Sequence, residues 1–315
     1  MTLTQLIWSI AVRVLCLTTF FFLLTTIIFL ITTVVFARKS RKGRSSDNPS
    51  NEKSVVDPLS VQSFDFDAVL LQNQGKREYQ QDSFYLSDKD DKAFLAEKGL
   101  LAVVADGMGG LQDGKAISNL TVETFKNQFC NGAVADPQQF LTECVYKAEA
   151  NVDAHIYESS MKGGSTVVAA LIQGRRLNYV SVGDSSIFLV RNNKVVLLNR
   201  YHNYADVLRS KVRQGLITKK EADTDPMRSR ITSFIGMGEV NEIDQNAKPI
   251  SLCSGDVLIL CSDGVANALG NDAILNLIQA GSFTELGSRI EKSILYQNIK
   301  NQDNFTAVMI KCNDF

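Results

Sequence analysis

The sequence predicts an α+β fold with antiparallel sheets, preceded by a single membrane-spanning helix. Three observations carry this expectation. Short, β-branched apolar runs bunch together between residues 165 and 198 and return at 256–261 and 304–312. Long amphipathic stretches at 114–130 and 137–160 precede the bunch, and shorter ones at 271–280 and 283–298 lie between the last two strands. Strands grouped apart from helices point to antiparallel sheets, whereas a parallel sheet would alternate strand and helix. Finally, Val14 to Ala37 is a run of 24 residues without a charge.

That run comes first along the chain. At about 1.5 Å rise per residue it covers a hydrocarbon core of roughly 30 Å with some tilt. A buried core helix would carry a polar face, and this segment offers only threonines. A cleaved signal peptide has an apolar stretch of about 7–15 residues, which is shorter. Residues 1–44 therefore read as a retained anchor with a basic flank. The cluster Arg38-Lys39-Ser40-Arg41-Lys42-Gly43-Arg44 outweighs Arg13 on the other side. The positive-inside bias then places the C-terminal body in the cytoplasm, on a single-pass protein of the cell (inner) membrane. Residues 45–61, rich in Ser, Asn, Asp and Pro, read as a flexible tether.

The body spans 62–315. Gly99 to Ala105 reads as a buried strand, followed by the two amphipathic helices. Strands are expected at 165–173, 177–183, 186–190 and 194–198, with Asn192-Asn193 turning between the last two. Residues 203–235 are polar, basic and helix-prone.

Composition narrows the function classes. Six of the 33 Lys and Arg residues lie in the first 44 positions, where there is no acid, leaving 27 basic against 34 acidic side chains in the remainder. An acidic body argues against nucleic acid as a partner. The six cysteines lack CxxC spacing and lie in apolar stretches, which predicts reduced core thiols rather than a zinc site or disulfide framework. Nothing in the residues indicates an oligomeric state.

The chemistry lies in four acidic motifs. Asp106 ends Val103-Val104-Ala105 and opens Gly107-Met108-Gly109-Gly110; Asp184 sits in Val182-Gly183-Asp184-Ser185; Asp263 sits in Leu260-Cys261-Ser262-Asp263-Gly264; Asp303 precedes Asn304-Phe305-Thr306-Ala307-Val308. Each alone is compatible with an ordinary strand-ending turn. Together, carboxylates at the ends of buried strands repel one another unless a cation lies between them. Oxygen ligands alone suit a hard cation, Mg²⁺ or Mn²⁺. Glycine at 107 lets the backbone bring a carbonyl close enough to join them. Arg77 and Asp82, in Gly75-Lys76-Arg77-Glu78-Tyr79-Gln80-Gln81-Asp82, add a fork for phosphate oxygens and a fifth acid.

The order of these motifs, with Gly164-Ser165-Thr166 between those of Asp106 and Asp184, resembles the metal-dependent type-2C protein serine/threonine phosphatases in their bacterial form. The resemblance spans roughly 65–313. It implies a four-layer sandwich, two antiparallel sheets flanked by helices, with a two-metal centre between the sheets. Carried over position by position, Asp106 would bridge two metals and the Gly107 carbonyl would bind the second. Asp263 and Asp303 would hold the first, and Asp184 with Asp263 would match a weaker third site. Asp82 would orient water, and Arg77 would bind the substrate phosphate. The implied activity is hydrolysis of phosphoserine and phosphothreonine on proteins, by a water activated between Mn²⁺ or Mg²⁺ ions. Phosphorylated proteins are the implied partners.

Three residues depart from the family pattern. Gln80 stands for a common Asn, Lys115 for a common Glu, and Ser186 for a common Arg. None is an implied ligand. Met108 occupies the place of a histidine in eukaryotic relatives, which leaves leaving-group protonation to water. Of the two histidines, His155 reads as structural within a helix, while His202 heads the 203–235 segment, the family's variable flap, where substrate contact competes with a structural role. The flap's Arg209, Lys211, Arg213, Lys219 and Lys220 would attract phosphorylated segments or simply form a solvated face. Two other functions fit the same fold: a hydrolase for small phosphoesters, and an inactive, membrane-tethered phosphoprotein-binding module.

Overall fold

The computed structural model describes residues 65–110, 113–160 and 162–313. The expected anchor and tether fall outside the described residues. Among those described, no helix is long and apolar enough to cross a membrane.

Two antiparallel sheets form the centre. The five-stranded sheet runs in the order β1 (Phe66–Asn73), β12 (Phe305–Cys312), β11 (Val257–Cys261), β7 (Ser186–Arg191), β8 (Lys194–Leu197). The seven-stranded sheet has the path β10 (Ile250–Ser251), β6 (Arg176–Val182), β5 (Val167–Gln173), β3 (Leu100–Gly109), β2 (Asp82–Leu86), with β4 (Gly163–Ser165) on β3 and β9 (Asp244–Gln245) on β6. The alternation of β3 assigns its two faces. Helix α1 (Lys92–Lys98) leads into β3, whose Leu101, Val103 and Ala105 pack on α2 (Asp113–Asn131) and α3 (Pro137–Ser159), against Ile117, Phe125, Leu141 and Val145. Leu100, Ala102 and Val104 meet Leu258, Leu260, Val308 and Ile310 of the other sheet. The far face of the five-stranded sheet is covered by α7 (Asn271–Gln279) and α8 (Leu286–Tyr296), through Ile274, Leu286, Ile290 and Ile294. The result is the expected four layers.

Local chemistry sets the ends of these elements. Asp136 caps α3, its side chain accepting from Gln138 N and Gln139 N, with Pro137 just inside the helix where its missing N–H costs nothing. Asn192 and Asn193, at φ of 50° and 58°, make the tight turn between β7 and β8. The flap carries two short helices, α4 (Tyr204–Arg213) and α5 (Lys219–Thr224), the latter opened by a capping box of Thr218 and Glu221.

Several expectations need correction. The run 165–173 is two strands, because across from Thr166 the Asp106 N–H leaves the sheet ladder and donates to the Thr166 side-chain Oγ1 at 3.1 Å. The helix expected at 283–298 begins as a 3₁₀ turn over Phe283–Glu285 and stops at Tyr296, before Asn298 turns left-handed at φ 49°. Cys130 and Cys253 are exposed rather than core residues, whereas Cys144, Cys261 and Cys312 are buried free thiols as expected.

Candidate metal centre

The acidic residues gather at one end of the sandwich because of strand register. In the β2–β3 ladder, Asp82 lies directly across from Asp106. Asp106 is fixed through its backbone: its N–H donates to Thr166 Oγ1 at 3.1 Å, and its carbonyl accepts from Thr166 N–H at 2.9 Å and Ser165 Oγ at 3.1 Å. At Gly107 the chain runs so close to its neighbours that a Cβ would stand 2.1 Å from the Gly114 carbonyl and 2.7 Å from that of Gln81. Only glycine lets β3 pass there.

Across the sandwich, β11 delivers Ser262 and Asp263, the latter opening the short α6 (Asp263–Ala266). Ser262 Oγ donates to Asp82 Oδ2 at 2.8 Å and accepts from Thr306 N–H at 3.0 Å, which ties the two sheets together at the site. Asp303 lies two residues before β12 begins at Phe305. Its Oδ1 accepts from Asn304 N–H at 2.8 Å, and its Oδ2 accepts from Arg77 Nη2 at 2.5 Å. Asn304 holds the Arg77 loop by donating to the carbonyls of Gln74 and Tyr79, at 2.8 and 3.0 Å, and accepting from Gln81 N–H at 2.8 Å.

Asp184 sits between β6 and β7, after Gly183 at φ 100°. His202 is 1% exposed and brackets this turn: its Nδ1 accepts from Gly183 N–H at 3.1 Å, and its own N–H donates to the Gly183 carbonyl at 2.8 Å. It supports the Asp184 turn from within and presents nothing to a substrate. His155 lies within α3, as expected.

The electrostatics are those of crowded, like charges. Burial and then the neighbouring Asp82, Asp263, Asp184 and Asp303 push the Asp106 carboxyl well above its usual range. Burial, opposed by hydrogen bonds from Thr306 and Ser262, raises Asp82 to about 6. Burial and Asp263 raise Asp184 to about 7. Asp263 is raised by burial and by Asp303. Arg77 is pushed higher still by its hydrogen bond to Asp303. Among the described residues, no three His, Cys, Asp or Glu side chains yet close around one point as a cation would require. The donor set still fits a hard cation. It consists of oxygens only, burial and neighbouring carboxylates hold Asp106 and Asp263 above their usual range, and Asp82 Oδ1 is buried with no partner.

The three departures also fall into place. Gln80 Oε1 accepts from Asp82 N–H at 2.9 Å, Lys115 Nζ donates to the Asp82 carbonyl at 2.5 Å, and Ser186 Oγ lies 2.8 Å from Tyr201 Oη. Sequence reasoning missed Ser262 and Thr306 as the clamp on Asp82, and Asn304 as the anchor of the Arg77 loop. A serine or asparagine beside an aspartate carries no signal until the strands that bring its partner are known.

A sandwich of this order, with acids at the strand ends and an arginine at the rim, defines a class of phosphoester hydrolase. The Protein phosphatase 2C family model matches residues 73–302, and the chain belongs to that family. It is 30% identical over 224 residues to a putative protein phosphatase 2C-type of Streptococcus pyogenes serotype M6, covering 69% of this chain and 88% of that protein. It is 27% identical over 231 residues to the serine/threonine protein phosphatase PstP of Mycobacterium tuberculosis, covering 73% of this chain but 43% of PstP. The crystal structure of the PstP catalytic domain in complex with two manganese ions superposes with a TM-score of 0.62 at 24% identity, covering 79% of this chain and 99% of that one.

Proposed function

We propose that this chain removes phosphate from phosphoserine and phosphothreonine side chains of proteins, in a metal-dependent reaction, while tethered to a membrane with its body in the cytoplasm. The carrying observation is the convergence of Asp82, Asp106, Asp184 and Asp263, whose carboxyls burial and crowding hold above their usual range, beside Asp303 and the exposed Arg77. Asp106, the Gly107 carbonyl, Asp263 and Asp303 would hold two Mn²⁺ or Mg²⁺ ions, and Asp184 would share a weaker third with Asp263. When bound, these ions would neutralise the carboxylates and lower the pKa of water toward neutrality.

The chain's own groups do the rest. Arg77, released from Asp303, would grip two phosphate oxygens and stabilise the charge that grows on them. Asp82, clamped at Oδ2 by Ser262, would use its unpartnered Oδ1 to accept a hydrogen bond from the attacking water and orient it. No cysteine is needed as nucleophile: burial pushes Cys144 and Cys312 up to about 12 and Cys261 higher, so each is an inert thiol. The membrane tether rests on the uncharged run Val14–Ala37 and the basic cluster after it.

The test is phosphate release by the purified chain from a phosphothreonine peptide as Mn²⁺ is titrated in. Metal-dependent turnover is expected, faster than on nucleotides or sugar phosphates. Faster turnover of the small phosphoesters would replace the protein substrate, and no turnover by the folded chain would leave a binding module.

A further inference from the structure

Two of the departures from the family pattern meet in one place. Tyr79, Gln80, Lys115, Ala116 and Asn119 line a cleft of about 420 Å³ between the Arg77 loop and the first turns of α2. A second cleft of about 310 Å³ adjoins it, sharing Lys115 and Asn119 and running on to Glu123. Lys115 is half-buried, and its ammonium donates to the Asp82 carbonyl at 2.5 Å and to Ser83 Oγ at 3.1 Å. An ammonium has three N–H donors, so a third is left for a ligand in the cleft. No acidic side chain lines the larger cleft among the described residues.

The position is set by the chain. Tyr79 and Gln80 follow Arg77 closely, and Asn304 pins the loop through the Gln74 and Tyr79 carbonyls, so this wall keeps its place beside the arginine. The cleft thus starts two residues along the chain from Arg77, within reach of a polypeptide that presents a phosphoryl group to that arginine and continues toward α2. An anion arriving there meets a partly desolvated cation already oriented by two hydrogen bonds, which lowers the entropic cost of pairing.

We infer that this cleft receives the stretch of a phosphoprotein next to the phosphorylated residue, and that Lys115 there holds an anionic group of that stretch, a carboxylate or a second phosphoryl group. The inference rests on the protein-phosphatase reading above and adds which sequences it favours.

The full-length chain would be assayed with Mn²⁺ on three phosphothreonine peptides: one with neutral flanks, one with flanking glutamates, and one with a flanking non-hydrolysable phosphonate. An ion pair of this exposure predicts kcat/KM about three- to fivefold higher on the anionic peptides, declining with salt. Because Lys115 also supports the Asp82 carbonyl, the readout is the ratio of anionic to neutral substrate, not the absolute rate. In Lys115→Met the ratio falls to about one. Ala116→Glu, which leaves the lysine's own bonds in place, lowers the ratio below one. Gain on the glutamate peptide identifies a carboxylate as sufficient; gain on the phosphonate alone identifies a second phosphoryl group. Equal kcat/KM on all three peptides, or a preference that survives both substitutions, overturns the inference. Peptide binding measured by fluorescence anisotropy separates the two readings. Lys115-dependent preference in binding without any hydrolysis would keep the cleft and remove the phosphatase, and neither binding preference nor hydrolysis would remove both.

Discussion

Asp106 and Asp303 stand on opposite sides of the same site, and the fold holds them in opposite ways. Asp106 lies in the middle layer of a ladder, with its N–H and carbonyl both engaged by Ser165 and Thr166 and Asp82 across from it. Asp303 lies in a loop with its side chain 40% exposed, paired to an Arg77 side chain that is 56% exposed. One half is fixed by backbone bonds that no ligand can displace. The other is held by an exposed ion pair, worth about 1 kcal/mol or less. The difference teaches where the centre can change. Under the proposed function, the fixed half would set where cations sit, and the exchangeable half is where Arg77 would trade a carboxylate for a phosphate.

The largest effect that would break this comparison is Asp106→Ala. It should cost about a thousandfold or more in metal-dependent turnover. The same substitution should stabilise the metal-free protein against urea, because it deletes a carboxylate that burial and four neighbouring aspartates disfavour. Loss of both activity and stability would mean that Asp106 is structural. Next comes Arg77→Ala, expected to lower kcat/KM about a hundredfold while changing stability by less than about 0.5 kcal/mol, since its ion pair is exposed. Arg77→Lys should recover only part of that loss, because it lacks the planar fork.

Smaller again is Ser262→Ala. Removing the donor to Asp82 Oδ2 should cost about tenfold in turnover, with metal affinity nearly intact. The mildest is a pH effect on stability. The Asp82 carboxyl is raised from 3.8 to about 6 in the folded chain. The folded state therefore holds that proton more tightly than the unfolded one, and stability is greatest below about pH 4 for this group and falls as pH rises through 6. Metal-free protein should lose about 1–3 kcal/mol across that window by urea melts. Saturating Mn²⁺ should abolish the loss, and a metal-free protein that gains stability over the same range would contradict the crowding described for the site.

Much of this architecture was legible in the residues. The buried strand that leads into Asp106, the two long helices, the Asn192-Asn193 turn and the strands flanking Asp184 and Asp263 announce themselves by period and turn chemistry, though β3 runs on past the expected end at Ala105 to Gly109. Other elements do not. Strand β1 lies at a sheet edge and exposes Leu70, so its pattern does not alternate cleanly. Strand β2 is read through Asp82 and Ser83, polar residues buried because the site needs them. Strands β9 and β10 span two residues each, too short for any periodicity. At the site, the acids were legible as a set because several buried carboxylates need a common explanation. His202 was not legible as the brace of Gly183, since a histidine at the head of a polar segment gives no hint that the segment folds back over it.

The most direct test of the central claim counts bound Mn²⁺ by electron paramagnetic resonance in the purified chain and its aspartate variants, with phosphothreonine-peptide turnover measured on the same samples. The expected result is two tightly bound ions per chain, both lost in Asp106→Ala, one retained in Asp303→Ala, and turnover absent from both variants. A folded chain that binds no Mn²⁺, or that keeps both ions and its turnover without Asp106, would contradict it.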